Sequence, residues 1–185
     1  MGDPVQWLGY TGYAGGLDTT KNHTGAFSVA TQFADGEISI MLHVATMLPN
    51  HENDPQRLER KRHIGNDVCV VVFLDDADAV FPIEQIKSHF NHVWVVVRPH
   101  LSGDAYQVSV VLKDGVPAVP PRVPEDSVVP KSHIREWMMA KLISQERSAL
   151  RSAPQFAGKL LAARKMGLDM LITQFSPTTL TPRAK

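Results

Sequence analysis

The chain has 185 residues, 43% hydrophobic and 21% charged. That composition suits one globular domain that buries a core without covalent staples, and it excludes a wholly disordered protein. Nineteen basic residues balance nineteen acidic ones, which argues against nucleic-acid or membrane-surface binding as the main work, because both need surplus positive charge. The single cysteine, Cys69, excludes an intramolecular disulfide and any multi-cysteine zinc or iron–sulfur site, and it fits a reducing compartment. No stretch approaches the roughly 20 apolar residues of a membrane span, so a cytoplasmic chain is expected.

Residues 1–14 read as an N-terminal lead-in, and the first four are left out of the fold expectation. Residues 7–19 (WLGYTGYAGGLDT) form a glycine-rich loop with aromatic anchors. Residues 26–33 and 37–46 predict two strands joined by an Asp35-Gly36 turn. Asp54-Pro55 predicts a helix start, with the helix running from Pro55 to about Ile64 and Gly65 stopping it. The apolar run 68–74 (VCVVVFL) predicts a strand buried on both faces. A helix over residues 83–90 and a second buried strand over 93–97 follow. Alternation of Tyr106, Val108, Val110 and Leu112 predicts a third strand with one wetter face. Residues 117–130 carry prolines that suit neither helix interior nor central strand, so they read as an extended connection. Ile134, Met138 and Leu142 then follow helical spacing. Ser152-Ala153-Pro154-Gln155 reads as a capping box opening a last helix through Phe156, Leu160, Leu168 and Leu171. Residues 176–185 read as a flexible tail. The pattern predicts an α/β fold, a mixed central sheet flanked by helices, in one domain over residues 15–175.

The stretch that carries chemistry is residues 57–67, RLERKRHIGND. Its helix has only Leu58 and Ile64 as clearly apolar positions, too few for the wide stripe of a core-packed helix. At about 100° per residue, Glu59, Arg62, His63 and Asn66 share one face and Ile64 points nearly opposite. An Arg and a His suit recognition of carboxylate or phosphate, and a carboxamide can orient a water without being a base. The plainer reading is a solvated helix that ends in an asparagine cap.

Gly15-Gly16-Leu17-Asp18-Thr19, then His43 to Pro49 (HVATMLP), then Lys61 to Asp67 (KRHIGND), in that order, resemble the catalytic domain of the Rap GTPase-activating protein family, which includes tuberin and the Ral GTPase-activating proteins. Ser88 to Val93, Pro130-Lys131-Ser132 and Ala140 to Ile143 extend the likeness. The resemblance implies an α/β domain likened to a G domain, which accelerates GTP hydrolysis on a bound Ras-superfamily GTPase. It also implies that GTP and Mg2+ are held by that partner and that the chain has no cofactor of its own. The family supplies an asparagine thumb; by motif match this is Asn66, the residue assigned the catalytic role. Glu59, Lys61, Arg62 and His63 would then bind the GTPase or support the helix. Rap is the preferred partner on the strength of residues 130–146, with Rheb and Ral open. The alternative is a catalytically silent module that only binds a GTPase.

Other features weigh less. The glycine-rich start lacks the G-x-x-x-x-G-K-[ST] of a phosphate-binding loop. His43, His51, His63, His89, His92 and His100 form no compact ligand set, so no metal is expected. Residues 116–122 (VPAVPPR) have the spacing of an SH3 ligand, against a rigid connector docked on its own domain. Trp137, Met138 and Met139 read as core, and Cys69 as inert packing.

Overall fold

The computed structural model describes residues 1–76 and 78–175; the tail expected over 176–185 lies outside the described residues. Seven strands and three α-helices follow one another as β1 (Asp3–Gln6), β2 (Phe27–Phe33), β3 (Ile38–Leu42), α1 (Leu58–Asn66), β4 (Cys69–Phe73), β5 (Val93–Pro99), β6 (Ala105–Leu112), β7 (Val128–Pro130), α2 (Ile134–Ser152) and α3 (Pro154–Phe175). The strands make two sheets, in the orders β1-β2-β3 and β4-β5-β6-β7.

The larger sheet is the mixed one, with β4 parallel to β5 and the other pairs antiparallel. β5 is central, and its residues Val93–Val97 are all buried, as expected of a strand covered on both faces. β6 alternates as its sequence requires, with Val108 buried and Gln107 and Ser109 exposed. β4 differs from expectation. It is an edge strand, only Val72 within it is buried and Phe73 is exposed. An apolar run cannot distinguish an edge from a centre, because strand order is set by long-range pairing.

The predicted hairpin forms in the smaller sheet, which periodicity does not separate from the larger one. Val29 to Phe33 pair with Leu42 to Ile38. Ala34, Asp35 and Gly36 all turn with positive φ, a conformation in which Asp and Gly are cheaper than most residues. The first residues are part of the fold: β1 pairs with β2, and Trp7 is wholly buried.

α2 holds the sheets together. Met138, Met139, Leu142 and Ala149 join Val93, Val95, Val97 and Val108 in the main core, and Phe33 and Ile40 of the smaller sheet pack against it. Arg135 of α2 also donates to Thr31 of β2 at 3.0 Å. Each buried aliphatic side chain contributes about 1.5–3 kcal/mol. The methionines are core, as expected, whereas Trp137 is partly buried and donates its indole N–H to the Arg122 carbonyl.

Other expectations change at element ends. A single 3-10 turn, Ile83–Gln85, stands where a helix over 83–90 was expected. The capping box at 152–155 does not form. Ser152 donates back to the Ser148 carbonyl, and Gln155 reaches His89 and His92 instead. Pro154 is nevertheless the first residue of α3, where its missing N–H costs nothing.

The proline-rich connection is docked on α2. Gln145 donates to the Pro117 carbonyl at 2.7 Å and accepts the Val119 N–H. Lys141 donates to the Val119 carbonyl, Ser144 to that of Pro120 and Ser148 to that of Pro117. Burial pushes the Lys141 ammonium below its usual pKa. Residues 117–122 thus have backbone groups engaged by their own domain, the plainer of the two readings of this segment.

Candidate functional site

α1 is short and poor in apolar residues, and none of its residues is buried. Its place is fixed mainly by polar contacts at its two ends. At the start, the Asp54 carboxylate accepts the Glu59 N–H at 3.1 Å, and bonds from Leu58 and Glu59 hold its carboxyl below the usual range. The start expected at Asp54-Pro55 is displaced: the helix begins at Leu58 with Arg57 at its cap position, and Asp54 instead reaches forward to accept from the first turn. Along the body, Arg60 donates to the Leu48 carbonyl at 2.7 Å. Ile64 packs against a second core of Trp7, Leu17 and Leu48.

The other end carries the site. Gly65 does not stop the helix; Asn66 is its last residue, and Asp67 caps it with its N–H on the Ile64 carbonyl. A helix end leaves carbonyls without intrahelical donors, and here the segment before β5 supplies them. Ser88 donates to the Gly65 carbonyl at 2.5 Å, and the Asn91 amide donates to the carbonyls of Ile64, at 2.9 Å, and Asp67, at 2.5 Å. Asn91 is wholly buried. The Ser88 hydroxyl in turn accepts the N–H groups of Phe90 and Asn91.

Beside this end lies an open cleft of about 480 Å³, lined by Gly15, His43, Arg62, His63, Asn66, Asp67 and Glu146 among others. The glycine loop forms one wall. The Asp18 carboxylate ties that loop by accepting from the Thr20 hydroxyl and from the N–H groups of His23, Thr20 and Lys21. Those bonds hold its carboxyl well below the usual range. Gly15 has a φ of +60°, and a Cβ there would lie 3.2 Å from Met41 and 3.4 Å from the His43 ring, so both conformation and space favour glycine.

The His43 ring lies 2.9 Å from the Asp67 carboxylate oxygens and 3.0 Å from the Gly15 carbonyl. The bond to Asp67 raises its pKa above the ordinary 6.5. The His63 ring packs edge-on to it with centroids 5.4 Å apart. Burial, with His43 and Arg62 nearby, lowers the His63 pKa. Glu146 of α2 stands at the mouth, exposed on one side yet crowded by protein atoms, and this crowding together with Asp67 raises its pKa.

Of the residues expected from sequence, Arg62, His63 and Asn66 meet at the cleft. Glu59 and Lys61 do not line it; both are exposed, and Glu59 lies 3.6 Å from His51. Asn66 is exposed, and among the described residues its carboxamide has no hydrogen-bond partner. Sequence reasoning missed His43, Asp67, Asn91 and Glu146 as site residues. The signal for His43 was an ionisable residue directly after the apolar run of β3, which a solvated strand end also explains. Cys69 reads correctly as packing, since burial raises its thiol pKa far out of the reactive range. Among the described residues, no three His, Cys, Asp or Glu are placed to hold a metal ion, and no helix is long and apolar enough to cross a membrane.

A GTPase-activating protein of Dictyostelium discoideum is 39% identical over 184 residues, covering 97% of this chain and 18% of its own length. The human GTPase-activating Rap/Ran-GAP domain-like protein 3 is 39% identical over 175 residues, covering 93% of this chain and 17% of its own length. The chain thus spans less than a fifth of these relatives. The solved GAP domain of TSC2 superposes with a TM-score of 0.68 at 26% identity, covering 80% of this chain and 78% of that one. The family model described as Rap/ran-GAP matches residues 1–165, and the chain belongs to that family of GTPase-activating protein domains.

Proposed function

We propose that this domain stimulates GTP hydrolysis on a bound small GTPase by inserting the Asn66 side chain into the partner's nucleotide site, where its carboxamide orients the attacking water. The observation that carries this reading is the state of Asn66. It ends a helix anchored at both ends, stands exposed at the rim of a polar cleft and has no hydrogen-bond partner among the described residues. A carboxamide offers one acceptor and two donors and is not a base. Its contribution is therefore positioning, a large part of catalysis in phosphoryl transfer. Arg62 and His63 share the cleft wall and would dock the GTPase or brace the helix. Glu59 and Lys61 would contribute only to docking, since neither lines the cleft. GTP and Mg2+ belong to the partner, and the proposed place of action is the cytoplasm.

Rap is the proposed substrate, with Rheb and Ral as the next to test. Single-turnover hydrolysis on GTP-loaded Rap, Rheb, Ral and Ras, with and without the domain, identifies the target. Asn66→Ala is then expected to reduce stimulation by about 100-fold or more, the scale of losing one transition-state donor, while much of the GTPase binding remains. A variant that stimulates within about threefold of wild type overturns the assignment. Binding by the wild type without acceleration would identify a silent GTPase-binding module.

A further inference from the structure

His43 makes two hydrogen bonds that no neutral imidazole can make together. Its Nδ1 lies 2.9 Å from both oxygens of the Asp67 carboxylate, and its Nε2 lies 3.0 Å from the Gly15 carbonyl. An ionised carboxylate and a carbonyl only accept, whereas a neutral ring carries a single N–H. Both contacts are satisfied at once only by the imidazolium. The two acceptors come from different parts of the chain: Gly15 is in the glycine loop, and Asp67 follows Asn66 directly. The ring is almost enclosed, with 10% of its side chain exposed, so water cannot readily replace a bond that is lost.

We propose that His43 is a positioning residue for Asn66: as the imidazolium it straps the glycine loop to the end of α1, and loss of its ring proton opens the strap and lets the thumb drift. The inference rests on the role proposed for Asn66. His43 itself reaches neither water nor nucleotide in this scheme; it acts through Asp67.

The groups around the cleft set when the strap opens. Asp67 and the Gly15 carbonyl favour the charged ring, while burial opposes it; His63 and Arg62 of α1, Glu146 of α2 and Tyr13 of the glycine loop line the same cleft. The net direction is upward from 6.5. A raised histidine pKa means that the charged contacts are fully present below the ordinary value and are lost as pH rises through the folded-state value. Stimulation is therefore expected to be highest on the acid side and to fall above His43's own midpoint.

Two measurements test this. Histidine side-chain NMR of the isotopically labelled domain reads the His43 midpoint directly, expected above 6.5 in the wild type and lower in Asp67→Asn, which removes the carboxylate charge. Single-turnover hydrolysis on GTP-loaded Rap, or on Rheb or Ral if one of those proves the target, is followed between about pH 6 and 9 and divided by the GTPase's own rate. Wild-type stimulation should fall through the NMR midpoint, and Asp67→Asn should move the fall to lower pH. His43→Gln should lose about 10- to 100-fold at the acid end, with a flat profile and GTPase binding within about threefold of wild type. A His43 midpoint below the ordinary value, a wild-type profile flat through the midpoint, or His43→Gln matching wild type at every pH overturns the proposal. Asn66→Ala separates the two failures. If it retains full stimulation, the thumb reading falls and the strap with it; if it abolishes stimulation while His43→Gln does not, only the strap is wrong.

Discussion

A buried amide and a half-buried hydroxyl, more than apolar contacts, decide where α1 ends. Ser88 and Asn91 satisfy the carbonyls of Ile64, Gly65 and Asp67, and the helix persists through the glycine that sequence reasoning took as its stop. Glycine in a helix costs about 1 kcal/mol against alanine, less than the neighbouring carbonyls would lose without their donors. Asn91→Ala strips a buried donor from two carbonyls, and we expect it to lower stability by about 1–3 kcal/mol in urea unfolding. It should also reduce stimulation of GTP hydrolysis, although a wholly buried side chain cannot touch a GTPase. Unchanged stimulation would show that the end of α1 does not need this support.

At the scale of elements, the division of labour follows from what each segment can bury. α2 has one face for the core and a second that supplies polar side chains to the proline-rich connection. Prolines remove N–H donors but leave carbonyls, so such a segment needs donors from elsewhere. Gln145, which is wholly buried, meets that need at Pro117 and accepts from Val119. Gln145→Ala leaves the Val119 N–H unpaired and removes the shorter of two bonds to the Pro117 carbonyl, and a loss of about 1–3 kcal/mol is expected in chemical unfolding. Half-buried Ser148, which donates to the same Pro117 carbonyl, should cost less when changed to Ala, because Gln145 still donates there. The element boundaries that sequence misplaced are those set by such distant partners. Ser152 and Gln155 have the spacing of a capping box, yet each finds a better partner: the Ser148 carbonyl for one, and His89 and His92 for the other.

The described residues form two buried clusters, and α3 leaves them after its first turns. α3 touches the domain near its start, where Phe156 packs against Phe90 and His92, and beyond Leu160 its residues are exposed. Removing residues 166–185 therefore deletes only exposed positions among those described. Such a truncation is expected to change stability by no more than about 0.5 kcal/mol, read from denaturant midpoints, and to leave stimulation intact. The family match also ends at residue 165. A large loss of stability would mean that the second half of α3 is packed in solution.

The α/β class, the hairpin, the buried β5, the alternation of β6 and the polar face of α1 are all legible along the chain, because periodicity and turn chemistry are local. Its motif order also pointed to the family, and Asn66 stood out within the KRHIGND run. Local pattern could not divide the strands between two sheets, put β4 at an edge or bring residues 1–14 into the fold, since these depend on pairing between distant segments. Nor could it assemble the cleft. His43, Asp67, Asn91 and Glu146 come from four separate places in the chain, and each has an ordinary explanation when taken alone. Only the convergence of His43, Asp67 and Asn91 shows that a hydrogen-bonded frame, with little apolar surface to help it, fixes the end of α1, with Glu146 lining the cleft beside it.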